Sequence, residues 1–113
     1  MTRVLIVEDE PLIAFALEDL LIDAGFKVIG IAGKLDKALA LIGSAVVDVA
    51  IVDANLADVS AASALTARGI PFIVLSGYSI EQLPDEFLGA HFMNKPCRPA
   101  QLIQALRDIV LKQ

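Results

Sequence analysis

The chain has 113 residues, which suits one compact domain with its own core and is too short for two. It is 57% hydrophobic but only 5% aromatic, so the core must be built mainly from Val, Ile, Leu and Ala, and a net charge of −5 lacks the basic footprint that non-specific nucleic-acid binding requires. A single cysteine, Cys97, excludes an internal disulfide framework and a multi-cysteine metal site. No apolar run approaches the length of a membrane span, and Met1-Thr2-Arg3 does not open a signal peptide, so the expected location is the cytoplasm, away from membranes.

Short apolar runs alternate with amphipathic stretches. Residues 3–7 form a buried-strand run that ends at Glu8-Asp9-Glu10. From Pro11 the spacing becomes helical, with Ile13, Leu17, Leu20, Leu21 and Ala24 expected on the inward face and Gly25 as the stop. Residues 27–32 predict a second strand, and 36–42 a helix ending at Gly43. Residues 48–53 predict a third strand, followed by a helix around 57–67 that closes at Gly69, and a fourth strand over 71–76. Pro84 interrupts residues 79–88, which are helical at best in part. Residues 90–94 predict a fifth strand. The last helix, 99–112, should turn Leu102, Ile103, Leu106, Ile109 and Val110 inward. Near-continuous apolar strands alternating with helices predict an α/β fold, a parallel sheet covered on both faces. With no repeat, low-complexity tract or linker, one domain over residues 1–113 is expected, without an output domain.

In an open parallel sheet, sites form beyond the carboxyl ends of the strands. The first strand there ends at Glu8 and Asp9, the third at Asp53, the fourth at Ser76 and the fifth at Lys95, whereas Ala32-Gly33-Lys34 after the second contributes little. Singly, each is ordinary: an acid after a strand is most often a loop or cap residue, and a serine there a turn residue. Jointly they put three carboxylates, a hydroxyl and an ammonium on one sheet edge. Clustered carboxylates need a compensating cation, and Mg²⁺ suits a site with few protein ligands and several waters. Lys95 adds a second positive charge and Ser76 a donor. The set describes a phosphoryl site between a metal and a lysine, with a carboxylate available as nucleophile.

Leu5-Ile6-Val7-Glu8-Asp9-Glu10, Val49-Ala50-Ile51-Val52-Asp53, Ile73-Val74-Leu75-Ser76-Gly77 and Phe92-Met93-Asn94-Lys95-Pro96 resemble the receiver (CheY-like) domain family of response regulators. The resemblance runs from about Val4 to Ile109. It implies a doubly wound, flavodoxin-like five-stranded sheet in the order 2-1-3-4-5. It implies Asp53 as phospho-acceptor and metal ligand, Glu8 and Asp9 as the acidic pair for Mg²⁺, and the backbone carbonyl of Asn55 as a further ligand. Lys95 matches the phosphate-pairing lysine, Ser76 the switch hydroxyl and Phe92 the switch aromatic. Asn55 and Tyr78 match positions that tune dephosphorylation. The implied partner is a histidine kinase or histidine phosphotransferase protein, with a protein target downstream and a monomer or weak dimer in solution. Two departures stand out: the loop after Asp53 reads Ala54-Asn55-Leu56-Ala57-Asp58 without the usual Pro or Gly, and Phe92 offers no hydroxyl where the family has Tyr.

Other readings account for less. A haloacid-dehalogenase-type phosphatase needs a second aspartate two residues after the nucleophile, and that position is Asn55. A flavodoxin-like cofactor module needs a glycine- and hydroxyl-rich first loop, whereas Glu8-Asp9-Glu10-Pro11 would repel a bare phosphate. A degenerate receiver used as a scaffold predicts loss of Asp53, Lys95 or the acidic pair, and all are present. A phosphate sink or relay without conformational output remains an alternative. His91, in the last strand with no companion histidine, and Cys97 are expected to pack or to lie at the surface.

Overall fold

In a computed structural model, which describes residues 2–54, 59–76, 91–95 and 98–111, the alternating pattern becomes five strands and four helices among those residues. They follow in the order β1 (Arg3–Val7), α1 (Pro11–Asp23), β2 (Lys27–Ala32), α2 (Leu35–Ser44), β3 (Val49–Asp53), α3 (Val59–Ala67), β4 (Phe72–Ser76), β5 (His91–Asn94) and α4 (Pro99–Leu111). All neighbouring strands are parallel, in the order β2-β1-β3-β4-β5, as the resemblance implies. The partial helix expected over 79–88 lies outside the described residues.

Strand alternation sends side chains to two cores. Leu5, Val7, Ala50, Val52 and Val74 meet Ala38 and Ile42 of α2 and Ala62 and Leu65 of α3 on one face. Val4, Ile6, Val49, Ile51 and Ile73 meet Ala14 and Leu21 of α1 and Leu102, Ile103, Leu106 and Ile109 of α4 on the other. Because both faces are covered, β1, β3 and β4 can be apolar almost throughout. Arg107 Nη2 also donates to the Ala24 carbonyl at 3.3 Å, which joins α4 to the end of α1. The pairing of β1 with β2 slips by one residue, Val4 facing Val28 and Leu5 facing Gly30, so that Ile29 is extra on the edge strand.

The α4 face matches its expected pattern, with Val110 half-buried beside the four buried residues. The α1 face matches at Leu21, which is buried, and at Leu17, Leu20 and Ala24, half-buried against the same core, but not at Ile13, which is 43% exposed beside a buried Ala14. The first turns of α1 read Pro-Leu-Ile-Ala-Phe-Ala-Leu, apolar nearly all round, so periodicity there does not single out a face. What decides is close packing on the sheet, which the small Ala14 allows.

Two of the three expected glycine stops are glycine-terminated helix ends. Gly25 (φ 92°) and Gly69 (φ 68°) take the left-handed conformation. Phe26 N–H donates to the Leu21 carbonyl and Gly25 N–H to the Ile22 carbonyl, at 2.9 and 3.0 Å, and Ile70 and Gly69 repeat this pairing with Leu65 and Thr66. Gly43 differs. It lies inside α2, which continues to Ser44, whose Oγ donates to the Ala40 carbonyl at 2.7 Å. The chain then leaves through extended Ala45 and needs no left-handed residue.

The same substitution should therefore have opposite signs at two glycines. An added Cβ meets nothing within 4 Å at either Gly43 or Gly69. Gly69→Ala is expected to destabilise by about 1–2 kcal/mol through its left-handed φ. Gly43→Ala is expected to stabilise by up to about 1 kcal/mol, as alanine does in a helix interior. Urea midpoints of the two variants check this, and a loss of stability at Gly43→Ala would contradict the assignment of that residue to the helix interior.

Candidate functional site

Backbone ladders extend to the site itself. Glu8 N–H donates to the Ala32 carbonyl at 2.9 Å, Ala54 N–H to Leu75 at 2.9 Å and Lys95 N–H to Ser76 at 2.8 Å, each one step beyond its strand. Val7 pairs with Val52, so Glu8 and Asp53 are the next residues on adjacent strands. Adjacent strands lie about 4.8 Å apart, which sets two carboxylates side by side.

Alternation then divides the site. Glu8 follows Val4 and Ile6, Asp53 follows Val49 and Ile51, and Lys95 follows Met93; all continue the face packed by α1 and α4. Ser76 follows Phe72 and Val74 and shares its parity with Phe92, on the face packed by α2 and α3. By strand parity the charged set continues the α1–α4 face and Ser76 and Phe92 the α2–α3 face, so Ser76 would approach the charged set over the carboxyl end of its strand. Residue identity at the strand ends does not reveal this division; counting parity from the apolar runs does.

Lys95 Nζ donates to Asp53 Oδ1 at 2.7 Å in an ion pair whose aspartate is 4% exposed and whose lysine side chain is 32% exposed. Glu8 is 4% exposed, whereas Asp9 faces solvent. One oxygen from each of Glu8, Asp9 and Asp53 lies within 4.8 Å of the others. Burial first, and then the Asp53 charge, raise the Glu8 carboxyl from 4.5 to about 7, against which the Lys95 ammonium acts. Burial opposes the charge on Lys95, but its hydrogen bond to Asp53 and the surrounding carboxylates outweigh that and raise its pKa above 10.5. The direction of the Glu8 shift marks a cluster of acids that one ammonium does not balance.

Ser76 is buried, Phe92 is half-buried against the α2–α3 core together with Ala54, and His91 is exposed on the β5 edge. Asn55, Tyr78, Pro96 and Cys97 lie outside the described residues. Strand β2 brings only backbone near the site: a Cβ on Gly33 would meet the Glu8 carbonyl oxygen at 3.7 Å and Asp9 Cα at 4.0 Å. The cluster fits a small hard cation. Three carboxylate oxygens converge, two from buried residues, in excess of the local positive charge, and one of the acids opens to solvent where coordinated water can sit.

Mg²⁺ is accordingly expected to raise the thermal midpoint of the protein by mass action, by about 1.4 kcal/mol of stability at ten times its dissociation constant. Asp9→Asn should blunt that rise and leave the metal-free midpoint equal or higher, because it relieves repulsion among the acids. Equal Mg²⁺ responses of the two proteins would remove Asp9 from the ligand set.

The family model described as the response regulator receiver domain matches residues 4–107. The chain belongs to this family. Its receiver fold superposes on the CheY-like receiver domain protein of Methanospirillum hungatei JF-1 with a TM-score of 0.89 at 26% identity, covering 99% of this chain and 95% of that one. It superposes on the BeF3-activated conformation of SdrG from Pseudomonas melonis Fr1 with a TM-score of 0.80 at 35% identity, covering 96% and 95%. The receiver domain of a sensor histidine kinase from Pseudomonas aeruginosa PAO1, solved with a magnesium ion in its active-site cleft, shares the fold with a TM-score of 0.83 at 23% identity, covering 96% and 97%. No curated protein sequence matches the chain. Receiver domains are signalling domains and are not generally classed as enzymes. Among the described residues of this receiver domain, no helix is long and apolar enough to cross a membrane.

Proposed function

We propose that this receiver domain takes a phosphoryl group from a phosphohistidine, on a histidine kinase or histidine phosphotransferase protein, onto the Asp53 carboxylate. The observation that carries this reading is the environment of Asp53: a buried carboxylate at a strand end, held by Lys95 at 2.7 Å and adjoined by Glu8 and Asp9. An Asp53 carboxylate oxygen attacks phosphorus, the P–N bond to the histidine ring breaks, and the electron pair departs on the imidazole nitrogen. Lys95 and Ser76 hold the phosphoryl oxygens in place and oppose their charge. Glu8, Asp9, Asp53 and the Asn55 carbonyl are the residues that would hold Mg²⁺, which supplies positive charge to the carboxylates and to the transferring group. Water later hydrolyses the acyl phosphate, at a rate tuned by Asn55 and Tyr78, so the domain catalyses only its own loading and discharge.

Ser76 moving toward the phosphoryl group would open room for Phe92 to turn inward, a shift between two populated states that changes a protein-binding surface. Phe92 gains packing but no hydroxyl contact on turning, so its bias between orientations is weaker than that of a tyrosine. The relative described in a BeF3-activated conformation supports a site that accepts a phosphoryl mimic.

The direct test is incubation with acetyl phosphate and Mg²⁺, followed by intact-mass measurement. One added phosphoryl group, lost again on standing, is the expected result. An unchanged mass with both acetyl phosphate and a panel of phosphorylated histidine kinases would overturn the proposal.

A further inference from the structure

We draw no further inference here: the strongest candidate, the apolar groove between α1 and α4 lined by Leu12, Ile13, Leu17, Leu20, Pro99 and Leu102, adjoins the site already described, and nothing in the structure shows what covers it.

Discussion

Asp53→Asn is expected to take up no detectable phosphoryl group while folding as well as the parent. The substitution keeps the shape and retains a carbonyl oxygen that can accept the Lys95 hydrogen bond, now made to Asp53 Oδ1 at 2.7 Å. It removes the nucleophile, because an amide oxygen does not displace the histidine nitrogen from phosphorus. It also removes the charge that, after burial, does most to raise Glu8, so the Glu8 carboxyl should fall back toward 4.5. Lys95 loses its ion pair, but with 32% of its side chain exposed it can turn to water. Stability at neutral pH should therefore be preserved or improved. Intact mass after acetyl phosphate treatment, beside a thermal melt of the same sample, separates loss of chemistry from loss of fold. Labelling equal to that of the parent would move the acceptor to another residue.

The second large effect is on pH and stability. In the unfolded chain the Glu8 carboxyl titrates near 4.5; in the metal-free fold it titrates near 7, chiefly because it is buried. Between those values the folded state keeps a proton that the unfolded state has released. The stabilisation is complete below pH 4.5 and is lost as pH rises through about 7. Its size is up to roughly 3 kcal/mol, at about 1.4 kcal/mol per pKa unit. Glu8→Gln carries no such proton and should lack this component. The measurement is urea unfolding in EDTA at about pH 5 and about pH 8, comparing the parent with Glu8→Gln. The parent should lose more stability than the variant over that interval, and millimolar Mg²⁺ should restore the parent at the higher pH, because the cation favours the ionised cluster. Parallel pH dependences would show that Glu8 ionises in the fold much as it does in water.

Much of the fold is legible in local chemistry. Runs such as Val4–Val7 and Val49–Val52, short, rich in β-branched residues and bounded by charges, favour strands buried on both faces, and the glycines at 25 and 69 end helices because glycine takes that φ cheaply. The strand-end polar residues give the site for the same reason: the apolar runs of β1, β3 and β4 stop where a charge or hydroxyl begins. The inward face of α1 is legible at Leu17, Leu20, Leu21 and Ala24 but not in its first turn, because Leu12, Ile13 and Phe15 are as apolar as the residues that are buried, and packing rather than pattern chooses there. Gly43 misleads because a glycine near a helix end resembles a stop, while its conformation depends on whether the chain must reverse there. The raised pKa of Glu8 lies beyond any reading of residue types. It arises from burial beside Asp53, a property of the assembled sheet edge and not of either residue alone.

The slip between β1 and β2 has a consequence for the chain as a colloid. With a mean hydropathy of +0.70 and an edge strand reading Lys-Val-Ile-Gly-Ile-Ala, this domain carries an apolar sheet edge of the kind that favours edge-to-edge pairing. The extra Ile29 interrupts the regular pairing of β2 at its centre. An incoming strand in register with Lys27 and Val28 would fall out of register by Ile31, leaving stretches too short to hold a strand. One inserted residue would thus make β2 a poorer template for growth, while its inner edge completes the sheet.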